Sequence, residues 1–413
     1  ARSPYHRSQK GQRIMSHQQP SDPIVIVSAA RTPMGGFEGD FASVSAPELG
    51  SAAIAAAMSR AGIDPEGVEE VIFGNVLSAG QGQAPARQAA LGAGLPIGTT
   101  CTTLNKMCGS GMKAAMIAHD MLAAGSANIV LAGGMESMSN APYLMAKARA
   151  GLRMGHAELK DHMFLDGLED AYDKGRLMGT FAEDCATSFQ FTRDAQDDYA
   201  IASLERARRA IESGDFDNEV TPVTIHSKRG DTTVTTDEQP FKANPDKIRQ
   251  LRPAFRKDGT VTAANASSIS DGAAALVMMR ASEADKRGLT PLARMTAHSS
   301  HGDQPGLFPT APIGSITKLM EKTGWSLPDV DLFEINEAFA VVPMAAMHSL
   351  DLPHDKVNIN GGACALGHPI GASAARIMVT LLAAMKTHDL KRGVASVCIG
   401  GGEATAVALE RMQ

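Results

Sequence analysis

Four residues in this chain pair a reactive side chain with a position that could use it. Cys108 stands in "NKMCGSGMKAAM" (105–116), directly ahead of glycines and a helix-forming run. A thiolate at a helix start gains from the helix dipole and from free N–H groups, which lower its pKa. The glycines let a substrate or another backbone approach closely. The ordinary alternative is a buried structural cysteine; the helix-start position tips the reading towards a nucleophile. His368 stands in "ALGHPIGAS". Pro369 turns it away from helical geometry and suits the first position of a following helix. Two such helix mouths facing each other would set a base beside a thiol, the pairing of covalent catalysis. A turn histidine bonded to backbone competes with that reading. Cys398 ends an apolar run before Gly400, Gly401 and Gly402. Strand ends of this kind bind ligands in α/β proteins, and a second thiol there could act as acid or base. A small buried residue before a glycine turn is the ordinary case. Asn336, in "NEAFA", could polarise a carbonyl or hold a water, or simply cap the helix behind it.

The elements that must carry these residues follow from periodicity and punctuation. Strands are expected at 22–28, 68–75 and 127–132, the last ending in a Gly133-Gly134 turn. Helices are expected at 47–62, around 86–92, and from Cys108 to about Ala124. A similar order recurs later: a strand at 330–336, a helix at 337–350, a strand at 357–360, a helix to about Lys386 and a strand-plus-glycine turn at 394–402. This is read as two copies of one βα unit, with mostly parallel sheets covered by helices. Residues 139–262 break the rhythm. They are more polar, with helices within 180–190 and at 194–213 and a loop-rich stretch at 220–256. Long insertions of that sort tend to be functional. The expected division is a leader at 1–21, a first half at 22–138 plus 263–288, an inserted loop domain at 139–262, and a second half at 289–413.

Composition narrows the chemistry. The 413 residues suffice for two to three domains. A net charge of -6 gives no basic field for nucleic acid, and no apolar run has membrane-spanning length. The five cysteines are odd in number, widely spaced and without a CxxC pair, which disfavours a disulfide framework or structural zinc and fits reduced thiols in a cytoplasmic compartment. GxGxxG in the right context, GxxxxGK[ST] and HExxH are all absent. Cys101, Cys185 and Cys364 read as packing thiols, and His119 as a core residue rather than a ligand. The basic segment 1–21 reads as a leader with Met15 as native start, or else as part of a mitochondrial transit peptide.

The motifs "LNKMCGSGMKA", "LAGGMESMSN", "RPAFRKDGTVTAANAS", "NEAFA", "GGACALGHPIGAS" and "VCIGGG" occur in one order over residues 22–413 and resemble the thiolase family. The resemblance implies an α/β fold of two similar halves in five αβαβα layers, with a loop domain that holds coenzyme A. It implies that Cys108 takes the acyl group and His368 takes its proton. Cys398 then removes a proton from the acetyl-CoA methyl, and Asn336 positions a water in an oxyanion hole that His368 completes. The N–H groups of Cys108 and Gly400 form the second oxyanion hole. Met178, Phe255, Ala263, Ser267, Ala338 and Phe339 match positions lining the family's acyl and coenzyme A pocket. Lys242, Lys247 and Arg249 are candidates for the nucleotide phosphates, against the alternative of solvated surface charge. The implied reaction joins two acetyl-CoA into acetoacetyl-CoA and coenzyme A, with no metal or redox cofactor, in a homo-oligomer, a dimer or tetramer. Preference for longer 3-ketoacyl-CoA is the alternative within the family, and a catalytically inactive coenzyme A-binding scaffold the alternative outside it. Four positions depart from common family residues: Leu177, Phe308, Ala374 and Glu403.

Overall fold

The computed structural model describes residues 22–412; the expected leader, residues 1–21, lies outside them. The first half contains β1 (Ile24–Arg31), α1 (Ala46–Ala61), β2 (Glu70–Gly74), α2 (Pro85–Gly92), β3 (Thr100–Leu104), α3 (Ser110–Ala123), β4 (Ile129–Ser137) and β5 (Ser270–Arg280). The second contains β6 (Ala293–Gly302), α6 (Ala311–Thr323), β7 (Leu332–Ile335), α7 (Val341–Leu350), α8 (Ser373–Thr387), β8 (Arg392–Ile399) and β9 (Glu403–Arg411). The insertion between β4 and β5 carries α4 (Met178–Phe189) and α5 (Arg193–Ser213).

The duplication is visible in the strand order. The sheet runs β3-β2-β4-β5-β1-β6-β9-β8-β7, with β1 and β6 joining the halves through Val25–Arg294 and Ile26–Ala293. Beyond β7, Val357 makes a single parallel bridge to Phe333. Counting that bridge as a vestigial strand, each half has the order third, second, fourth, fifth, first. The expected strand at 357–360 is thus reduced to one bridge followed by a turn. The expectation of mostly parallel sheets needs correction. β2–β3, β2–β4 and β7–β8 are parallel, but β1–β5, β5–β4, β6–β9 and β8–β9 are antiparallel. A tight glycine connection makes the β8–β9 pair antiparallel, whereas parallel neighbours need a crossover.

Strand side chains alternate between two cores. Ile24 and Ile26 of β1, with Val130 and Ala132 of β4, face a central layer made by α3 and α8. Val25, Val27, Ile129 and Leu131 face α1 and α2. In the second half Ala395, Val397 and Ile399 face the central helices, while Val394 and Cys398 face α6 and α7. The result is five layers, helix–sheet–helix–sheet–helix. Burial on both sheet faces explains why these strands read as continuous apolar runs.

Local chemistry sets several boundaries. Ser45 and Glu48 form a capping box at the start of α1, and Gly62 ends it in the left-handed region at φ 63°. Gly133 and Gly134, expected as a turn, lie inside β4. A Cβ on Gly134 would sit 2.1 Å from the Gly371 carbonyl oxygen, so glycine here permits close backbone approach from the second half. The expected helix at 337–350 begins only at Val341. Residues 338–340 form a bend and a single bridge to Ala266 instead, held as Ser267 N–H donates to the Ala338 carbonyl (2.9 Å) and Ala340 N–H to that of Asn265 (2.8 Å). The insertion is tied to β1 by buried Arg31, which pairs with Glu219 (2.5 Å) and Asp237 (2.7 Å). Removing one partner of such a buried pair costs about 3–5 kcal/mol.

Candidate active site

The two helix mouths converge on one cavity of about 500 Å³. Cys108, His368, Cys398 and Gly400 all line it, with Met178, Phe255, Ala263, Ser267, Ala338 and Phe339. Residues from α4, the loop before β5, the segment between β7 and α7 and the turn after β8 complete the wall.

Cys108 is aimed by a strained turn. Met107 has φ 48°, a left-handed conformation that costs a non-glycine residue about 1 kcal/mol or more. Ser110 holds the turn: its Oγ accepts from Lys106 N–H (2.8 Å) and donates to the Met107 carbonyl (2.6 Å). A Cβ on Gly109 would lie 2.4 Å from Ile399 Cδ1. The glycine behind the thiol therefore admits the end of β8, which brings Cys398 to Cys108. The backbone N–H groups of Gly400 and Cys108 lie on the side of the Cys108 thiol where they favour its charged form.

The expected lowering of the Cys108 pKa is corrected. Burial dominates and pushes the thiol up to about 11, the two N–H groups only partly opposing it and the Glu136 carboxylate adding to it. Desolvation disfavours the thiolate more than the helix start favours it. Burial also raises the Cys398 thiol, and the charge of Cys108 raises it further.

His368 is neutral at rest. Burial first, then the charge of buried Arg376, push its pKa down to about 3. Its Nδ1 lies 2.6 Å from Ser373 Oγ, and that hydroxyl donates to the Pro369 carbonyl at 2.9 Å. With the hydroxyl proton so committed, Nδ1–H is the donor to Ser373, which assigns the lone pair to Nε2. Nε2 is buried and has no hydrogen-bond partner among the described residues. Pro369 is not the first helical residue as expected; α8 begins at Ser373.

Asn336 is buried, and neither polar atom of its amide finds a partner among the described residues. It does not line the cavity itself, but Ala338 and Phe339 just after it do. It caps no helix, since α7 starts after Ala340 without a side-chain cap. Lys242 and Lys247 line an adjoining cavity of about 400 Å³, which shares Ala263 and Ser268 with the first. Lys242 also pairs with Glu238. Arg249 lines neither; it pairs with Asp198 and, at 4.0 Å, with Asp194. Of the four departures, Leu177 and Phe308 are on the cavity wall, and Glu403 pairs with Lys106.

Two buried carboxylates that sequence reading passed over hold the loops. Glu136 accepts from the backbone N–H groups of Val76 (3.0 Å), Leu77 (3.1 Å) and Gly371 (2.9 Å), and burial raises it to about 7. It thereby ties the His368 loop to the first half. Glu337 accepts from Tyr199 (2.9 Å), Ser203 (2.8 Å), Asn358 (2.8 Å) and Cys364 N–H (3.0 Å), joining α5 to the loops of Asn336 and His368. Both lie within quoted motifs, "GGMES" and "NEAFA", but nothing in the letters says that they are buried.

Residues 24–282 match the family described as thiolase, N-terminal domain, and residues 289–411 match thiolase, C-terminal domain. The chain is 53% identical over 391 residues to acetyl-CoA acetyltransferase 2 of Arabidopsis thaliana, covering 94% of this chain and 96% of that one. It is 50% identical to the acetyl-CoA acetyltransferase of Cupriavidus necator, covering 94% and 99%. The crystal structure of the Bacillus anthracis acetyl-CoA acetyltransferase superposes with a TM-score of 0.93 at 41% identity, covering 96% of this chain and all of that one, 100%. Acat5 thiolase from Ascaris suum, solved in complex with coenzyme A, gives 0.89 at 40% identity, covering 94% and 100%. On this match across both halves, the chain belongs to the thiolase family.

Proposed function

We propose that this protein is an acetyl-CoA C-acetyltransferase, which reversibly joins two acetyl-CoA into acetoacetyl-CoA and coenzyme A. The observation that carries this reading is the meeting of two thiols and one neutral imidazole in a single, mainly apolar cavity.

In the first half-reaction Cys108 Sγ attacks the thioester carbonyl as its proton passes to His368 Nε2. The Gly400 and Cys108 N–H groups, which already favour negative charge at that sulfur, stabilise the oxyanion that forms beside it. The carbon–sulfur bond to coenzyme A breaks, and Cys398 gives its proton to the departing sulfur. Acetyl-Cys108 remains beside a Cys398 thiolate and a His368 imidazolium. Burial keeps Cys398 protonated at rest, and the new imidazolium supplies an attraction that favours its thiolate.

In the second half-reaction Cys398 removes the α-proton of a second acetyl-CoA. The carbanion attacks the acetyl-Cys108 carbonyl and a carbon–carbon bond forms. Cys108 leaves as a thiolate and recovers its proton from His368. Asn336, through a water, and His368 hold the thioester oxygen of the second substrate. Lys242 and Lys247, beside the adjoining cavity, face the coenzyme A phosphates, while Arg249 is assigned to surface ion pairing.

Phe308, Phe339 and Phe255 support a short acyl group. Phe255 and Phe339 pack edge to face at 5.9 Å, Phe308 and Phe339 lie 6.4 Å apart, and all three form the cavity wall. We further propose a homo-oligomer in a cytoplasmic, reducing compartment, in keeping with five free cysteines. The test supplies acetoacetyl-CoA and coenzyme A and follows loss of the 3-ketoacyl thioester. Turnover abolished by Cys108→Ala is expected; no turnover by the wild type, or full activity after Cys108→Ala, overturns the reading.

A further inference from the structure

His119 and Asp120 lie in the last turns of α3, and His298 lies in β6. Among the described residues these three bring candidate ligand atoms within 4.8 Å of one another. His298 Nε2 is 2.9 Å and His119 Nδ1 3.1 Å from the same oxygen, Asp120 Oδ1. The imidazole rings meet edge on at 5.1 Å and 83°. The side chains of His119 and His298 are 15% and 17% exposed, so their rings are fixed by packing, while Asp120 at 62% opens to solvent.

Two converging imidazoles and a carboxylate on one side, with solvent on the other, are a three-ligand set with an open position. Ligands at about 2.0–2.1 Å from a tetrahedral ion stand about 3.3–3.5 Å apart. The two nitrogen–oxygen separations need to widen by only a few tenths of an ångström, which side-chain rotation at the exposed Asp120 supplies, and the two ring nitrogens already lie within 4.8 Å. Nitrogen donors select a first-row transition ion over magnesium or calcium. The C-terminal end of α3 also favours positive charge. The ammonium of Lys322, which donates to the His298 carbonyl at 2.9 Å, works against it.

We propose that His119, Asp120 and His298 form a divalent transition-metal site, of the zinc, cobalt or nickel class, that pins α3 of the first half to β6 of the second. The site is separate from the catalytic cavity, none of its residues lining it. His119, expected as a core residue, is then a ligand. Metal bound there stabilises the folded chain by mass action, because the unfolded chain does not assemble the three ligands.

The test uses full-length protein with its thiols carbamidomethylated, so that Cys108 and Cys398 do not bind the metal. Cobalt(II) is titrated and followed by its visible absorption and by equilibrium dialysis. Melting is recorded with and without zinc. The proposal expects one saturable cobalt site and a zinc-dependent rise in Tm, both lost in His298→Ala and His119→Ala. Asp120→Asn, which keeps the side-chain shape, provides a second arm should a histidine variant fail to fold, and its binding is expected to weaken strongly. No saturable uptake by the wild type, or uptake unchanged in the folded variants, overturns it.

Discussion

Ser373→Ala tests whether the His368 tautomer is set as the structure indicates. Ser373 is fully buried, and its hydroxyl is the group facing Nδ1 at 2.6 Å. Alanine leaves Nδ1–H buried without an acceptor. An unsatisfied buried donor costs about 1–3 kcal/mol, and the imidazole escapes that cost by moving its proton to Nε2 or by rotating. Either change removes the lone pair from Nε2, the base in the proposed acetylation. At about 1.4 kcal/mol per tenfold, acetylation of Cys108 should slow roughly 5- to 150-fold. Ser373 does not line the cavity, so binding of the acylating acetyl-CoA is retained and the loss should fall on the acetylation rate and not on KM. The assay is single-turnover acetylation by acetyl-CoA, quenched and read by intact mass, alongside steady-state thiolysis of acetoacetyl-CoA. A variant within twofold of wild type, or a loss carried entirely by KM, would refute the reasoning.

Further outcomes follow from the same geometry. Cys398→Ala should slow acetylation of Cys108, because the departing sulfur loses its acid, yet still accumulate acetyl-Cys108 on prolonged mixing with acetyl-CoA, and should lose condensation by about 10²–10⁴-fold, as expected for a missing acid–base group; intact mass and product formation separate the two steps. Alkylation of Cys108 by iodoacetamide should climb about tenfold per pH unit from pH 7 to 9 without a plateau. The thiolate fraction keeps rising until pH reaches about 11, whereas a plateau below pH 8 would indicate a resting thiolate–imidazolium pair. Phe308→Val should shift thiolysis towards longer 3-ketoacyl-CoA by about tenfold or more in kcat/KM ratio, because buried Phe308 forms part of the cavity wall. An unchanged chain-length profile would place the limit elsewhere.

Much of the fold is written in local patterns. The strand at Ile24–Arg31, the helix after Ser45 and the long helix behind Cys108 follow from apolar runs, a capping box and glycine stops. These signals act over a few residues, so they survive without tertiary context. What escaped is whatever depends on partners. β3, "TCTTL", is a polar edge strand, and β6, "ARMTAHSSHG", carries few apolar residues, so neither announces itself. The antiparallel centre of the sheet is a matter of pairing, which periodicity does not encode. The late start of α7 likewise reflects hydrogen bonds from residues 265–267, far away in sequence.

By itself the sequence determined which residues could react and roughly where they stand. Cys108 and His368 are marked by glycine and proline at element boundaries, and Cys398 by the glycines behind its strand. It also carried the duplication, since the order of elements repeats. Only the tertiary structure decided their state. Enclosure by five layers raises the Cys108 thiol where a helix start alone would lower it. Burial, then the charge of Arg376, keep His368 neutral, and the hydroxyl of Ser373 sets its tautomer. Lys242 and Lys247 reach the adjoining cavity while Arg249 turns to Asp198. The physical reason is common to all three. Ionisation and tautomer depend on solvent exclusion and on groups brought from distant parts of the chain, and local sequence contains neither.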